Sequence, residues 1–265
     1  MGAGIMRVTV LGCGGSSGVP VIGNNWGACD ARNPRNHRSR PSVLVEDRGC
    51  AILIDTTPDL RQQLLRERVR RLDAVIYSHA HADHAHGIDE LREICRLMNQ
   101  PVPVYADAES LADLRSRFGY CFEPLQPGWP IYRPVLVPHQ VEGPFRVGAV
   151  EVVPFVQDHG YSTTLGYRFG DFAYSTDVVR LDEAAFAVLE GIKVWVVDCV
   201  REGPEHPVHA HLAVTLGWIE RVRPQRAFLT HMSQAMDYDQ LSRRLPPGVA
   251  PAHDGLVIDL DEGSR

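Results

Sequence analysis

The stretch His79-Ala80-His81-Ala82-Asp83-His84 decides how this chain folds and what it holds. It follows residues 72–78, a short apolar segment typical of a buried strand. Imidazole and carboxylate groups are ligands that suit zinc, manganese or iron. At a strand end, His79 and His81 can converge on one ion while Asp83 and His84 turn toward a second. A solvated histidine-rich turn is the alternative, and four ligand-type side chains within six residues disfavour it.

Composition indicates an ordinary globular protein. The chain has 265 residues, of which 44% are hydrophobic and 23% charged. We expect a single domain over residues 1–265. The 27 basic and 33 acidic residues give a net charge of −6, which argues against a general nucleic-acid surface. The twelve histidines are what composition alone leaves unexplained.

Neither a membrane span nor a secretion signal is evident. No apolar run approaches the roughly 18 residues that a spanning helix needs. Residues 1–11 lack a basic segment followed by a long apolar one. The six cysteines are widely spaced and form no CxxC pair, which indicates reduced thiols. We therefore expect a cytoplasmic protein.

Short apolar runs bounded by Gly, Pro or Asp predict strands along the whole chain. The predicted strands are 8–11, 43–45, 51–54, 74–77, 102–105, 150–156, 165–169, 172–176, 194–197, 227–229 and 256–260. Helical spacing predicts four helices, which begin near Thr57, Ile88, Leu181 and Leu212, and Leu60, Leu64, Leu65 and Val69 should share one face of the first. This order favours two sheets flanked by helices over one doubly wound parallel sheet.

Three more ligand-type residues follow predicted strands. His159 comes after strand 150–156, Asp177 after strand 172–176, and His231 after strand 227–229. Each residue alone is more often a structural or exposed polar group. Because all three share the strand–ligand–loop context of the first motif, we expect them to join the same centre.

This set of residues resembles the metallo-β-lactamase superfamily. Asp55, after strand 51–54, resembles that family's first acidic motif. The resemblance implies an α/β fold, a four-layer αββα sandwich of two mixed sheets flanked by helices. It also implies two divalent metal ions, zinc or manganese, with iron possible. Under the resemblance, His79, His81 and His159 hold one ion, Asp83, His84 and His231 hold the other, and Asp177 bridges them.

Further segments resemble the PhnP-like phosphodiesterase branch, which is related to RNase Z. They are residues 11–20 (Leu-Gly-Cys-Gly-Gly-Ser-Ser-Gly-Val-Pro), Arg38-x-Arg40-x-Ser42, Thr230-His231-Met232 and His253-Asp254-Gly255. The carboxylate of Asp177 departs from the β-lactamases proper, which have cysteine there. An aspartate at this position is typical of the phosphodiesterase, lactonase and thioester-hydrolase branches. The cysteine knuckle that many PhnP-like members carry is reduced to Cys29, so we expect no third, structural zinc.

The branch implies a hydrolase of small cyclic phosphodiesters (2′,3′-cyclic nucleotides or ribose cyclic phosphates) or linear ones, acting through a metal-bridging hydroxide. A lactonase or thioester hydrolase is the alternative, and an RNase Z-like nuclease a weaker one, because no long tRNA-binding insertion is evident. We expect a small phosphodiester or nucleotide as substrate, no large nucleic-acid surface and no membrane. A homodimer follows only by analogy with the superfamily.

Catalytic roles are expected for His209 and Asp83. His209, in a histidine-rich segment before a helix, matches the place where the branch has a histidine near the metals, and it would stabilise phosphoryl charge or protonate the leaving oxygen. Asp83 would act as a ligand as well. We expect Asp55 and Asp158 to orient ligand imidazoles. An arginine of the loop over residues 21–41 would bind phosphate, with Arg32, Arg35, Arg38 and Arg40 as candidates. His206, His211 and His253 receive no role.

Overall fold

Two mixed β-sheets form the centre of the molecule in the computed structural model, which describes residues 5–128, 131 and 133–261. The first sheet has the order β14-β1-β2-β3-β4-β5-β6. Its strands are β1 (Ile5–Gly12), β2 (Ser42–Asp47), β3 (Cys50–Ile54), β4 (Ala74–Ile76), β5 (Val102–Ala106), β6 (Leu136–Gln140) and β14 (Leu256–Asp261). The antiparallel pair β1–β14 joins the two ends of the described chain.

The second sheet has the order β13-β12-β11-β10-β9-β8-β7. Its strands are β7 (Phe145–Val147), β8 (Val150–Asp158), β9 (Thr163–Phe169), β10 (Phe172–Ser175), β11 (Val194–Asp198), β12 (Arg226–Thr230) and β13 (Val249–Pro251). Strands β10 to β13 run parallel to one another. Their carboxyl ends therefore meet at one edge of the sheet, which is where ligands bind in open α/β sheets.

Helices cover the outer faces of both sheets. They are α1 (Leu60–Arg66), α2 (Ala82–Ala85), α3 (Leu91–Met98), α4 (Ala108–Phe118), α5 (Glu183–Leu189), α6 (Leu212–Val222) and α7 (Tyr238–Ser242). Leu60, Leu91 and Leu111 join one buried cluster with the first sheet. A second cluster lies between the sheets and continues to α5 and α6, with Val10, Phe155 and Ile219 among its members. The α/β fold is thus the expected four-layer αββα sandwich.

The first predicted helix was wrong in its start and in one core residue. Helix α1 begins at Leu60 rather than directly after Thr57. Thr57 still caps the turn that leads into the helix, since its hydroxyl accepts from the Asp59 N–H (3.1 Å) and its carbonyl accepts from the Leu60 N–H (2.9 Å). Leu65 is 58% exposed, whereas Leu60 and Leu64 are buried. Leu65 lies one residue, or about 100°, away from the buried face of the helix.

Several strands and one helix were not predicted from the sequence. The strands β6, β7 and β13 lie at sheet edges, and β6 and β13 carry Pro138 and Pro251, which interrupt an apolar pattern. Helix α4 could have been predicted from an N-cap residue followed by apolar residues. The Asp107 side chain caps it by accepting from the Ser110 N–H, and Leu111 and Leu114 are buried. The other predicted strands and helices are confirmed, with ends that differ by one or two residues at most positions.

Candidate metal centre

Two groups of His and Asp side chains meet at the carboxyl edge of the two sheets. These two groups share Asp177: one is His79, His81, His159 and Asp177, and the other is Asp83, His84, Asp177 and His231, while a third group, Asp198, His209 and His231, adjoins them. Within each group the ligand atoms lie within 4.8 Å of one another. The structure therefore brings all seven of the sequence-predicted ligand residues together, in the two sets that the resemblance implied.

Asp177 belongs to both groups because its two oxygens face opposite sides. Its Oδ1 lies 3.9 Å from His79 Nε2 and 3.8 Å from His159 Nε2. Its Oδ2 lies 3.0 Å from His84 Nε2 and 3.4 Å from His231 Nε2. One carboxylate thus stands between two sets of imidazoles, the arrangement that a pair of bridged cations requires.

The donor atoms fit divalent cations. Among the described residues, His79 Nε2, His231 Nε2 and Asp83 Oδ2 are buried without a hydrogen-bond partner. Unpaired buried polar atoms are costly and rare in native proteins, unless an ion occupies the space between them. Imidazole nitrogens and carboxylate oxygens are ligands of zinc, manganese and iron, so the residues present suit these ions.

The outward nitrogens of the ligand imidazoles are held by other groups. His84 Nδ1 lies 2.7 Å from Asp55 Oδ2, and His159 Nδ1 lies 2.7 Å from the Val208 carbonyl oxygen. Asp55 is itself fixed, since it accepts from the Ser78 N–H (2.8 Å) and hydroxyl (2.7 Å). Such contacts orient the rings and direct their Nε2 atoms into the cluster.

The expectation for Asp158 was wrong. Its carboxylate accepts from the Gly160 N–H (2.7 Å) and from Arg180 Nε (2.8 Å), and neither oxygen bonds a ligand imidazole. The residue belongs to the exposed end of β8, whose last side chain points away from the cluster because neighbouring strand residues face opposite sides. Its neighbour His159 faces inward instead.

Charge is balanced inside the second group. Burial alone would lower the pKa of His231, but Asp177 and Asp83 outweigh it and raise the pKa to about 9. Burial likewise opposes protonation of His84, yet Asp177 and Asp83 raise its pKa well above the usual value. Burial would raise the pKa of the Asp177 carboxyl, but His231 and His84 hold it well below the usual range. The carboxylates of Asp83 and Asp177 thus supply the negative charge that surrounds these two imidazoles.

The first group is less rich in negative charge. Burial and the neighbouring His84 lower the pKa of His79 well below its usual value. Burial also lowers the pKa of His159, although Asp177 opposes the shift. These two imidazoles are therefore neutral near pH 7, the form in which a histidine binds a metal.

His209 lies beside the cluster and is paired with a residue that sequence analysis missed. Its Nε2 is 3.8 Å from Asp177 Oδ1, and its Nδ1 is 3.1 Å from Asp198 Oδ2. Asp198 is fully buried, and its Oδ1 lies 3.9 Å from His231 Nδ1. The available signal was its place at the end of β11, the same strand-end context that singled out Asp177 and His231.

The other two histidines of the segment differ. The ring of His206 is tilted by 50° against that of His209, with centroids 5.0 Å apart. His211 precedes α6 at the N-cap position, without a side-chain capping bond.

The loop arginines are mostly committed to internal contacts. Arg38 is 2% exposed, and its guanidinium donates to the carbonyl oxygens of Met236 (2.6 Å) and Ser233 (3.2 Å). Arg40 pairs with Asp59 (3.0 Å), and Arg32 pairs with Asp30 (3.0 Å). Arg38 is therefore turned into the protein and away from a phosphate in solvent, whereas Arg32 and Arg40 remain partly or largely exposed beside their carboxylate partners.

Three of the residues that converge here adopt left-handed backbone conformations. Asp55, Asp177 and His231 have φ values of 66°, 54° and 58°, at the point where each leaves its strand. This region is uncommon for residues other than glycine and is found preferentially at functional sites. The sharp change of direction turns each side chain toward the cluster.

Comparison with known proteins agrees with this geometry. A family model of the beta-lactamase superfamily domain matches residues 51–232, which run from β3 to just beyond β12. The chain belongs to the metallo-β-lactamase superfamily.

Within the superfamily, the chain is similar to the PhnP branch. A crystal structure described as a new diphosphatase from the PhnP family has 34% sequence identity and a TM-score of 0.89, over 97% of this chain and 98% of that one. The anti-Pycsar protein Apyc1 of Paenibacillus harenae is 29% identical over 212 residues, covering 75% of this chain and 85% of that protein.

A longer relative is named octanoyltransferase, from Porphyromonas gingivalis. It is 33% identical over 260 residues, which are 97% of this chain but 52% of that protein. The chain thus spans about half the length of this relative.

The family and the His/Asp cluster together support a metal-dependent hydrolase. The superfamily implies divalent metal ions in the cluster. No helix in the described part of the chain is both long and apolar enough to cross a membrane.

Proposed function

We propose that the chain is a dimetal phosphodiesterase that acts on small cyclic or linear phosphodiesters. The observation that carries the proposal is Asp177, whose oxygens face two separate ligand groups while His209 Nε2 lies 3.8 Å from Oδ1. Two cations with a proton-transferring group beside them are what in-line hydrolysis of a phosphodiester requires.

His79, His81 and His159 would hold one ion, Asp83, His84 and His231 the other, and Asp177 both. Bound divalent ions would supply Lewis acidity and a nucleophilic hydroxide near neutral pH. The protein's own part is to fix the imidazoles, through Asp55 at His84 and the Val208 carbonyl at His159. A fixed ligand set costs no reorganisation when charge develops on the phosphoryl oxygens.

His209 is the proposed general acid. Its Nδ1 lies 3.1 Å from Asp198 Oδ2, and this contact orients the ring so that Nε2 is the nitrogen turned away from Asp198. The proton on Nε2 then lies on the side that faces Asp177, where it can pass to the leaving alkoxide oxygen. Asp83 acts in this scheme as a ligand of the second ion, with its Oδ2 3.6 Å from His231 Nε2.

Metal content and turnover test the proposal together. The purified protein should contain about two divalent ions per chain and should hydrolyse bis(p-nitrophenyl) phosphate and 2′,3′-cyclic nucleotides. His79→Ala should lose metal and activity. His209→Ala should keep its metal and lose about 10²- to 10⁴-fold in kcat, the range of general acid–base catalysis. Less than one metal per chain and no turnover after reconstitution with zinc or manganese would refute the proposal.

Hydrolysis of a diphosphate bond is a second candidate. It is favoured by the likeness to the PhnP-family diphosphatase over nearly the whole chain. Both reactions attack a phosphorus atom and can use the same residues, so a panel of phosphodiesters and nucleotide diphosphate esters should separate them by kcat/KM. Lactones and thioesters belong in the same panel, because an aspartate at position 177 is also typical of lactonases and thioester hydrolases of this fold. The name octanoyltransferase describes a protein twice as long as the matched region and does not favour acyl transfer here.

A further inference from the structure

The Asp254 carboxylate lies shortly after the end of β13 and receives hydrogen bonds from distant parts of the chain. Its side chain is only 12% exposed. Its Oδ1 accepts from the Cys13 N–H (3.2 Å), and its Oδ2 accepts from the Ser39 N–H (2.9 Å) and hydroxyl (2.6 Å). The guanidinium of Arg66, at the end of α1, lies 3.4 Å from Oδ2. One carboxylate thus connects the end of β13 to the end of β1, to the segment before β2 and to α1.

These contacts favour the ionised form of Asp254. Burial raises the pKa of the carboxyl, but the hydrogen bonds from Ser39 and Cys13 and the charge of Arg66 oppose that shift. Hydrogen bonds to an ionised acceptor are roughly twice as strong as those between neutral groups. The loss of this one charge should therefore loosen several backbone groups at the same time.

The backbone around Cys13 is paired directly with the residue that follows His231. The Met232 N–H donates to the Cys13 carbonyl (2.9 Å), and the Gly15 N–H donates to the Met232 carbonyl (3.1 Å). These two bonds enclose Gly14, which forms a parallel bridge with Met232. Met232 is itself fully buried. A displacement of Cys13 therefore moves the peptide that leaves His231.

The His231 ring depends on this backbone more than the other ligand imidazoles do. The outer nitrogens of His84 and His159 lie 2.7 Å from an oxygen atom that holds them. His231 Nδ1 has no hydrogen-bond partner among the described residues, because Asp198 Oδ1 is 3.9 Å away. A Cβ at Gly15 would lie 3.5 Å from the same Nδ1, so the segment paired with Met232 also packs against the ring.

We infer that Asp254 is a positioning residue for the second metal ion and acts through His231. The inference rests on the proposed function, because it concerns a ligand of the same centre. The carboxylate fixes Cys13, the backbone of Cys13 fixes Met232, and this pairing sets the direction of the His231 side chain. The left-handed backbone of His231 (φ 58°) makes such support necessary, since this conformation persists only where the surroundings hold it.

Metal binding by Asp254→Asn tests the inference. The amide keeps the size of the side chain and removes its charge, so the dissociation constant of the second ion should rise about 10- to 100-fold while that of the first ion stays unchanged. Zinc titration against a chromophoric chelator measures the two constants. Anomalous scattering at the zinc edge in crystals shows which of the two positions is emptied. Excess zinc should restore kcat with bis(p-nitrophenyl) phosphate.

Two further variants separate positioning from folding. Ser39→Ala removes one hydrogen bond to the carboxylate, so it should weaken binding of the same ion by a smaller factor, and it decides the question if Asp254→Asn does not fold. Asp73→Asn is the matched control. Asp73 also accepts a backbone hydrogen bond, from the Ala51 N–H (2.8 Å), and pairs with Arg71 (2.8 Å), but it precedes β4, at the opposite edge of the first sheet from the cluster. Asp73→Asn should lower the melting temperature and leave both dissociation constants unchanged.

An unchanged dissociation constant for the second ion in Asp254→Asn, an equal loss at both positions, or the same loss in Asp73→Asn would each overturn the inference. If the wild type holds two ions and one of these results is found, the role of Asp254 fails while the dimetal centre stands. Less than one ion per chain in the wild type after reconstitution is instead the failure of the proposed function.

Discussion

At the scale of single residues, the site depends on pairs in which one side chain orients another. Asp55 holds His84, and Asp198 holds His209 while facing His231. Removing such a partner leaves the reacting groups present but misdirected, which typically costs 10- to 100-fold in activity or metal affinity.

Asp198→Asn should therefore lower kcat by about 10- to 100-fold, because an amide holds the His209 ring less firmly than the carboxylate does. With bis(p-nitrophenyl) phosphate as the substrate, kcat should fall while KM stays unchanged, which reports a misdirected proton donor rather than weaker binding. Asp158→Asn is the matched control, since Asp158 contacts Arg180 and Gly160 instead of an imidazole. Full activity in Asp198→Asn would remove Asp198 from the positioning role.

At the scale of elements, the ligands are fixed by how the strand ends meet the helices that follow. Gly87 lies just after α2, which carries Asp83 and His84, and a Cβ there would stand 2.0 Å from the Thr57 carbonyl oxygen. The Thr56 carbonyl also accepts from the Gly87 N–H (2.8 Å). The turn after the motif is thus packed directly on the segment that follows β3.

Gly87→Ala should destabilise the protein by about 1–3 kcal/mol, the usual cost of overpacking, because backbone must move on both sides. Gly217→Ala should do the reverse. Gly217 lies exposed within α6 with open space around it, and alanine is favoured over glycine in a helix by about 0.5–1 kcal/mol. Midpoints of urea unfolding measure both effects, and an equal response to the two substitutions would contradict the close packing at Gly87.

At the scale of the whole molecule, protonation of the cluster makes the stability of the folded protein depend on pH. The raised pKa values of His84 and His231 mean that the folded protein binds their protons more tightly than the unfolded chain does. Their stabilisation is fully present below the unfolded pKa of about 6.5 and is lost as the pH rises toward about 9.

Chelator-treated protein should therefore lose thermal stability between pH 6.5 and about 9, and His231→Asn should flatten that slope. Protein supplied with zinc or manganese should show the opposite trend over the same range, since cations replace protons on the imidazoles and bind better as these leave. Melting temperatures under the two conditions test this. Parallel slopes would show that metal and protons do not share the cluster.

The sequence by itself determined the fold class and seven converging residues. Apolar β-branched runs mark buried strands because a central strand must be apolar along its length. The ligand residues stand out because each directly follows such a run, as His231 follows β12. Edge strands such as β6 lacked this signal, since a strand with one open side tolerates proline and polar residues.

Tertiary structure alone decided which charges are available. Arg35, Arg38 and Arg40 look alike along the chain, yet one is exposed, one is buried on carbonyl oxygens and one is paired with Asp59. Asp158 and Asp198 both end strands, and only Asp198 meets an imidazole. The physical reason is that the role of a polar group depends on which partners lie within about 3 Å of it, and those partners come from distant parts of the chain.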